Sequence, residues 1–363
     1  MAQVIGMGGE FRRNWRALAG GFLGIGSALS LNSFILSTFA PYFLQEFGWT
    51  KQEWALLSTV QLLVMVSIPV AGRLADLFGV WRIAAVGALS FPLFLVAIAL
   101  MDGSLGPYFA IYVAQTVIGS TTTSTVYSRV VAQAFSLNRG LALGLCGAGA
   151  PLIGALGSPL ASAFVQAHGF QAGYLAVAAF CAVCSVLALW LLWGVEGDRQ
   201  VASRQKRGWA DYRAVLAMPV FWLLLVATFL VNLPFSLATT QIKLVAGAQG
   251  LGDGAAALMV SALGIASVVG RVVFGVAIDR IAPHRVSAFG FFLPVIGLIL
   301  LASPFDSFAA VLVAIVLIGL SFGSEADVIP VIVTRWFGIG VFGTVLGLIT
   351  AAMGAAMALG NAL

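Results

Sequence analysis

The stretch GRLADLFGVWR at residues 72–82 recurs later in the chain as GVAIDRIAPHR at residues 275–285. Three positions match at a constant offset of 203 residues: Gly72, Asp76 and Arg82 correspond to Gly275, Asp279 and Arg285. Each stretch lies at the end of one long apolar run and at the start of the next. A repeat on this scale predicts a protein built from two related halves.

The composition indicates that most of the protein surface faces lipid. Hydrophobic residues make up 61% of the 363 residues, charged residues only 9%, and the mean hydropathy is +1.05. Soluble domains carry roughly 25% charged residues, so this chain lacks the polar surface that water requires. At about 20 apolar residues per crossing, its length corresponds to ten or more membrane spans.

Hydropathy predicts an all-α membrane protein with two pseudo-symmetric bundles. The predicted spans are 17–43, 54–76, 82–101, 106–133, 140–167, 172–194, 219–246, 254–279, 285–303, 308–334 and 341–363. The polar segment 195–218 predicts a cytoplasmic linker between a six-helix bundle (1–194) and a second bundle (219–363). The offset places a further span at about residues 375–397. We therefore expect a shortened version of a twelve-span protein that ends in span eleven.

The basic residues occupy alternate loops, which the positive-inside rule assigns to the cytoplasm. These loops contain Arg12, Arg13, Arg16, Arg73, Arg82, Arg139, Arg199, Arg204, Lys206, Arg207, Arg213, Arg280, Arg285 and Arg335. The opposite loops hold Glu46, Glu53, Asp102, Asp253 and Asp306, with Lys51 as the clear basic exception. We predict a multi-pass protein of the cell (inner) membrane with a cytoplasmic N-terminus. The net charge of +5 follows from this asymmetry and does not indicate nucleic-acid binding.

The sequence carries no convincing motif of catalysis or metal binding. HExxH and paired His clusters do not occur, and His168 and His284 fall in predicted connections. The GxSxG match, GLSFG at 319–323, lies inside a predicted membrane span and not at the strand-to-helix turn that a catalytic serine of this type requires. Cys146, Cys181 and Cys184 lie in apolar runs, as small buried thiols do; one CxxC spacing without a second pair is a weak metal or redox signal. The apolar run after the basic N-terminus is too long for a signal peptide. We predict no enzyme activity, no cofactor and no metal.

The stretch 72–82 resembles the loop signature of the major facilitator superfamily, which has a Gly, an Asp four residues on, a second Gly and an Arg opening the next span. Gly72 lets two helices approach closely, and Asp76 can accept hydrogen bonds from the N-terminus of a neighbouring helix. Arg82 can pair with Asp76. The resemblance assigns a conformational latch to Gly72, Asp76, Arg82, Asp279 and Arg285. Leu77 replaces the family's usual basic residue, which implies a weaker latch.

Three further stretches resemble the monocarboxylate and oxalate–formate carrier group of that superfamily: FLQEFGWTKQEW at 43–54, RGLALG at 139–144 and GSEADVIPVIVTRWFG at 323–338. In that group an arginine in span eight binds the substrate carboxylate. Arg271, in VGRVVFG, occupies the corresponding place. The resemblance therefore implies that Arg271 binds a carboxylate.

The chain departs from this group at three positions. Animal monocarboxylate carriers have an Asp where Ser267 stands and a span-one Lys where Ser37 stands, and the oxalate carrier has a second cation where Met353 stands. Two fixed cations suit a dicarboxylate, so the loss of one favours a monoanion. Lys243, near the outer end of span seven, could supply a replacement charge.

Charged residues inside spans indicate a pathway, because each costs roughly 2.5 to 3.5 kcal/mol at a helix centre. The guanidinium of Arg271 would hold a carboxylate bidentately, or would pair structurally with Glu325 or Asp327. Glu325 and Asp327 lie about 200° apart around a helix, so at most one should face the cavity squarely. Each either couples protons or forms a structural ion pair. Arg129 would gate or anchor the cytoplasmic end, with direct substrate contact as the lesser alternative. Lys243 either snorkels outward or binds substrate.

Spans one, four, seven and ten line the cavity in the resembled superfamily, which implies a polar lining from those spans. The expected uncharged members are Asn32, Ser33, Gln115, Thr122, Tyr127, Asn232 and Gln241. The run STTTST at 120–125 also suits helix packing by small polar residues.

The sequence thus predicts a monomeric secondary transporter of small organic anions, monocarboxylates above all, by alternating access. Its partners would be a small carboxylate, a proton (symport) or counter-anion (antiport), and the lipid bilayer. The alternatives are a carrier for a dicarboxylate or drug-like solute, a channel, and a non-transporting membrane receptor. A two-fold repeat with an intramembrane cation favours a carrier over a channel.

Overall fold

The computed structural model describes residues 7–32, 35–36, 39, 42–43, 47–195, 209–240, 253–303 and 307–362, and its regular elements there are all helical. The α-helices are α1 (Met7–Gly26), α2 (Lys51–Val60), α3 (Val64–Phe78), α4 (Val80–Ala99), α5 (Leu105–Gly119), α6 (Ser124–Ala134), α7 (Arg139–Gly147), α8 (Gly149–Leu192), α9 (Trp209–Ala217), α10 (Pro219–Thr240), α11 (Asp253–Arg280), α12 (Pro283–Leu301), α13 (Phe308–Trp336) and α14 (Phe342–Ala362). Short 3₁₀ turns are Leu29–Leu31, Gln61–Leu63, Ser120–Thr122 and Ile339–Val341. The predicted all-α class is confirmed.

The outer helix faces carry large apolar side chains that only lipid can cover. Leu93 is 67% exposed, and Leu160 and Leu223 are each 72% exposed. Six described stretches are long and apolar enough to cross a membrane: Val80–Ala99, Arg139–Leu192, Ser261–Arg280, Pro283–Leu301, Phe308–Trp336 and Ile339–Gly360. The protein therefore crosses the membrane several times.

Helix α8 contains a reversal at Gly169, where φ is +83°. The stretch Arg139–Leu192 would be about 80 Å long if straight, far more than the hydrocarbon core of about 30 Å. Beyond the reversal, Gly173 packs against Val165. The stretch thus doubles back, and the predicted spans 140–167 and 172–194 fall on its two arms.

Predicted spans one, two and four are each interrupted by a 3₁₀ turn instead of being continuous. In span four, the hydroxyls of Ser120, Thr121 and Thr122 donate to carbonyls three residues earlier, at 2.7, 2.8 and 2.6 Å. Thr123 then takes an extended conformation, with ψ of 168°. Because these hydroxyls offer the backbone an alternative to helical bonding, the helix stops and α6 begins anew at Ser124.

The two halves meet at two glycine contacts related by the 203-residue offset. Gly72 of α3 packs on the backbone of Gly343 in α14, and Gly275 of α11 packs on Gly140 in α7. A Cβ on either Gly72 or Gly140 would overlap the carbonyl oxygen of its partner. Glycine is therefore required where the halves touch, as the predicted close approach at Gly72 demands.

Candidate functional site

Asp76, at the end of α3, binds the N-terminus of α14 in the opposite half. Its carboxylate accepts hydrogen bonds from the backbone N–H of Gly343 (3.0 Å) and from the N–H and hydroxyl of Thr344 (2.8 and 2.9 Å). This confirms that Asp76 receives the N-terminus of a neighbouring helix. We call this contact the first latch.

Asp279, at the end of α11, makes the corresponding contact to α7. It accepts from the N–H of Gly140 (2.7 Å) and of Leu141 (3.0 Å). The offset of 203 residues relates these donors to Gly343 and Thr344. We call this contact the second latch, and the end of the molecule that holds both contacts the latch face.

The predicted pairing of Asp76 with Arg82 is wrong. The chain turns at Gly79, where φ is +89°, and Arg82 is exposed on the first turn of α4. Arg129 of α6 takes the carboxylate instead, with Nη1 2.9 Å from Oδ1 of Asp76 and 2.6 Å from the carbonyl oxygen of Ala75. Arg285 is likewise exposed. The anchoring role expected for Arg129 fits this contact.

A cavity of about 210 Å³ lies between the halves and carries the polar groups of a binding site. Its charged lining residues are Arg271, Glu325 and Asp327, and its hydroxyl lining residues are Ser30, Ser124, Ser128 and Thr350. Apolar residues, among them Leu346 and Met353, complete the wall. A larger hollow of about 470 Å³ beside α8 is almost wholly apolar, and Leu156 and Leu160 on its rim are each 72% exposed. That hollow belongs to the lipid-facing surface, so we assign the candidate site to the smaller cavity.

Arg271 of α11 faces Asp327 of α13 across this cavity. Its Nη1 lies 3.4 Å from Oδ1 of Asp327, and its side chain is 12% exposed. Among the described residues, neither Nε of Arg271 nor Oδ2 of Asp327 has a hydrogen-bond partner. Charge-assisted Arg–carboxylate bonds are usually about 2.7 to 2.9 Å long, so the internal pair is a loose one.

Two glycines of α7 make room for this pair. A Cβ on Gly147 would overlap Nη1 of Arg271. A Cβ on Gly144 would lie 2.9 Å from Oδ2 of Asp327. The pair therefore lies directly against the backbone of the opposite half.

Glu325 lies between the central cavity and a smaller hollow that it shares with Asn232, Pro294 and Ser321. Its side chain is fully buried, and Nδ2 of Asn232 donates to its Oε1 at 2.6 Å. Oε2 has no hydrogen-bond partner in the described part of the chain. We expected at most one of Glu325 and Asp327 to face the cavity squarely; both border it, with Glu325 at its edge because it lies on the side of α13 that faces Asn232.

The predicted uncharged lining is mostly elsewhere. Asn32, Gln115, Thr122 and Tyr127 are buried but do not border the cavity, and Asn232 reaches it only through Glu325. Tyr127 packs on Gly24 and Thr122 on Gly87. Tyr127 and Thr122 therefore contact helices of their own half. Ser33, Gln241 and Lys243 lie outside the described residues.

Sequence reasoning missed the serines and the threonine of the lining. Ser124 and Ser128 lie one turn apart on α6, and Ser124 is exposed to the cavity because the helix begins there. Their i, i+4 spacing was the available signal, but the predicted lining took Gln115, Thr122 and Tyr127 from this span instead. Met353, the position of the group's second cation, does border the cavity.

Comparison with known proteins identifies the class. A match to the Major Facilitator Superfamily covers residues 22–362. MFS-type transporter 1 from Ophiocordyceps sp. (strain BCC 1869) is 24% identical over 329 residues, which cover 88% of this chain and 71% of that protein. The chain belongs to the major facilitator superfamily. It is therefore a multi-pass membrane carrier for a small solute and not an enzyme.

Solved structures share the fold at low identity. A bacterial homologue of the iron transporter ferroportin in the outward-facing state has a TM-score of 0.72 at 15% identity, covering 96% of this chain and 91% of that one. The human organic anion transporter MFSD10 (TETRAN) gives 0.70 at 16%, covering 97% and 92%. The proton:xylose symporter XylE gives 0.64 at 14%, covering 97% and 87%. These likenesses establish the architecture and leave the solute to the chemistry of the cavity.

Proposed function

We propose that this carrier transports small organic anions, with monocarboxylates as the principal class, by alternating access. The observation that carries the proposal is the guanidinium of Arg271 in the cavity between the halves. A fixed cation at this depth is costly unless an anion compensates it. A substrate carboxylate is the natural partner, because it matches the planar fork of the guanidinium.

The loose pair with Asp327 supports exchange of one carboxylate for another. Asp327 compensates Arg271 at 3.4 Å, and within the described part of the chain Nε of Arg271 and Oδ2 of Asp327 have no hydrogen-bond partners. A substrate carboxylate would form shorter bonds to the same guanidinium and release Asp327. The cavity would then be neutral both with and without bound substrate, provided that the released carboxylate binds a proton.

The N-terminus of α6 would assist anion binding. Its first residue, Ser124, borders the cavity, and helix N-termini carry a partial positive charge. Interrupted membrane helices commonly direct such ends at anionic solutes. The rest of the wall combines the hydroxyls of Ser30, Ser128 and Thr350 with apolar side chains, and Met353 supplies no second cation, which favours a short monoanion over a dicarboxylate.

Glu325 and Asp327 are the candidates for coupling. Glu325 is wholly buried with one oxygen unpartnered among the described residues, a costly arrangement for an anion. Proton symport would use protonation of one of these carboxylates, and anion exchange would return the carrier with a second anion on Arg271. We further propose a monomer in the cell (inner) membrane, with the latch face and N-terminus cytoplasmic. Its parts would be a bundle over 1–194, a linker over 195–218 and a second bundle over 219–363.

Uptake into proteoliposomes tests the proposal. We expect saturable uptake of labelled lactate, pyruvate or formate, with weaker uptake of oxalate and none of xylose. Arg271→Ala should abolish it, and Arg271→Lys should retain a part, because Lys keeps the charge but loses the fork. Undiminished saturable uptake by Arg271→Ala would remove Arg271 from the mechanism. Uptake of xylose or a divalent metal ion in place of the acids would replace the substrate class while leaving the carrier fold intact.

A further inference from the structure

Glu10, on the first turn of α1, binds a backbone segment that no sequence motif connects to it. Its side chain is only 6% exposed. Oε1 accepts from the N–H of Ser136 (2.7 Å), the N–H of Leu137 (3.1 Å) and the hydroxyl of Ser136 (3.2 Å). Oε2 accepts from the N–H and the side-chain amide of Asn138, both at 2.9 Å. All five donors belong to the connection between α6 and α7.

Two further contacts hold α1 against the same connection. Nδ2 of Asn14 donates to the carbonyl oxygen of Ala134 at 2.7 Å. The rings of Phe11 and Phe135 lie 5.0 Å apart. Asn14 itself leaves the helical conformation, with φ of −108° and ψ of 17°. The kink turns the first two turns of α1 onto the end of α6.

The connection that Glu10 holds leads directly into the second latch. Glu10 accepts hydrogen bonds from the N–H groups of residues 136–138, and Asp279 of the opposite half accepts them from the N–H groups of Gly140 and Leu141. Between them, Nε of Arg139 donates to the carbonyl oxygen of Phe135 at 2.9 Å, which closes the turn. One short segment is therefore held by a carboxylate of its own half on one side and by a carboxylate of the other half on the other.

We propose that Glu10 is a positioning residue of the transport cycle: by holding the 135–138 connection, it presents the N–H donors of Gly140 and Leu141 to Asp279 and so favours the closed latch face. The proposal rests on the alternating-access function proposed above. Within that function, Glu10 acts on the equilibrium between conformations and not on substrate.

The 203-residue repeat does not account for the contact between Glu10 and the 135–138 connection. The offset of 203 residues matches Glu10 to Arg213 on α9. Arg213 is exposed, and its side chain has no oxygen that could accept a hydrogen bond. The connection before the first latch instead contains Gly338, with φ of +76°, and the 3₁₀ turn Ile339–Val341. Among the described residues, this carboxylate contact therefore belongs to one half alone, and Arg335, which interacts electrostatically with Asp279, forms no ion pair with it like that between Arg129 and Asp76.

The test measures latch opening directly in the full-length chain reconstituted in nanodiscs. Spin labels at Phe78→Cys and Trp336→Cys, two exposed positions in opposite halves near the latches, report the separation of the latch face. We expect Glu10→Gln to raise the ratio of long to short distances by on the order of fivefold, since the loss of a charge-assisted contact of this kind has that effect. Glu53→Gln is the matched control, because Glu53 also accepts from a backbone N–H, that of Thr50 at 2.8 Å, but lies outside the latches. Its distances should not change.

A double-mutant comparison separates positioning from general stabilisation. If Glu10 acts through Asp279, then Glu10→Gln adds little to Asp279→Asn. Should Glu10→Gln fail to give a monodisperse protein, Asn138→Ala removes one of the five donors and should give a smaller shift in the same direction. Unchanged distances in a folded Glu10 variant, or full additivity with Asp279→Asn, would overturn the proposal. Neither readout needs substrate, so a negative result here is distinct from failure of anion uptake by the parent chain.

Discussion

The two latches share a backbone arrangement but differ in the groups behind it. In the first, Asp76 is buried and pairs with Arg129 inside its own half. In the second, Asp279 is partly exposed, and the offset matches Arg129 to Ile332. The nearby groups are Arg335, which interacts electrostatically with Asp279, and Glu10, which acts through the bound connection. Both halves therefore form the same carboxylate-to-helix contact, and different side chains surround it in each half.

The same contrast extends to the cavity, where the charges come from one half. Arg271, Glu325 and Asp327 all belong to the second half, and the offset matches them to Ile68, Thr122 and Ser124. The first half thus keeps its buried charge at the latch, and the second half keeps its charge at the candidate substrate site. The charges of the candidate site are therefore asymmetric, although the repeat relates the two halves.

Removing Arg129 should have the largest effect. Arg129→Leu leaves the buried carboxylate of Asp76 without its cation, which we expect to cost about 3 to 5 kcal/mol and to lower the melting temperature strongly. Arg82→Leu should change stability by less than about 0.5 kcal/mol, because that side chain is exposed. Thermal unfolding in detergent compares the two variants. Equal decreases in melting temperature for the two variants would instead support the pairing of Asp76 with Arg82.

Neutralising the carboxylate of each latch in turn should show which latch contributes more to the free energy of unfolding. Asp279→Asn weakens two backbone hydrogen bonds and should cost about 2 kcal/mol. Asp76→Asn should cost more, since it also leaves Arg129 buried without its anion. Melting temperatures of the two variants measure the difference, and a larger loss for Asp279→Asn would invert the comparison.

A methyl group at Gly147 should test whether the position of Arg271 in the cavity determines substrate affinity. Gly147→Ala forces Nη1 of Arg271 to move, and we expect about a tenfold loss of apparent substrate affinity with folding retained. Gly264→Ala is the matched control, because it lies on the same helix as Arg271 and its Cβ would meet open space. Concentration dependence of uptake gives both values; equal affinities would show that the position of Arg271 is not critical.

Glu10→Gln should give the smallest change in melting temperature, and that change should depend on pH. Burial alone would raise the pKa of Glu10, but the hydrogen bonds from Ser136, Leu137 and Asn138 lower the pKa below its ordinary value of 4.5. A lowered pKa stabilises the folded state above pH 4.5, and this contribution disappears as the pH falls through the folded-state pKa. The difference in melting temperature between the parent and Glu10→Gln should therefore be constant from pH 8 to about 5 and shrink below pH 4.5. A difference that does not shrink as the pH falls below 4.5 would exclude the charge as its source.

The sequence predicted those site residues that differ clearly from the apolar segment around them. Arg271, Glu325 and Asp327 are charges within apolar runs, and all three border the cavity. Sequence reasoning assigned the wrong partner to Asp76, which it paired with the nearby Arg82, because the actual partner, Arg129, lies 53 residues away along the chain. It also missed Ser124, which borders the cavity as the first residue of α6.

The sequence by itself determined the lipid environment, the helical class, the two-fold repeat and the identity of the buried charges, because hydropathy and the cost of charge in lipid act on each segment alone. Only the tertiary structure decided that Arg129 serves the first latch, that Glu10 serves the second and that Ser124 faces the cavity. Glu10 and Asn138 are 128 residues apart, and no local pattern encodes a hydrogen bond over that separation. The packing of the helices brings such partners together, and the rule that buried polar groups are hydrogen-bonded then selects them.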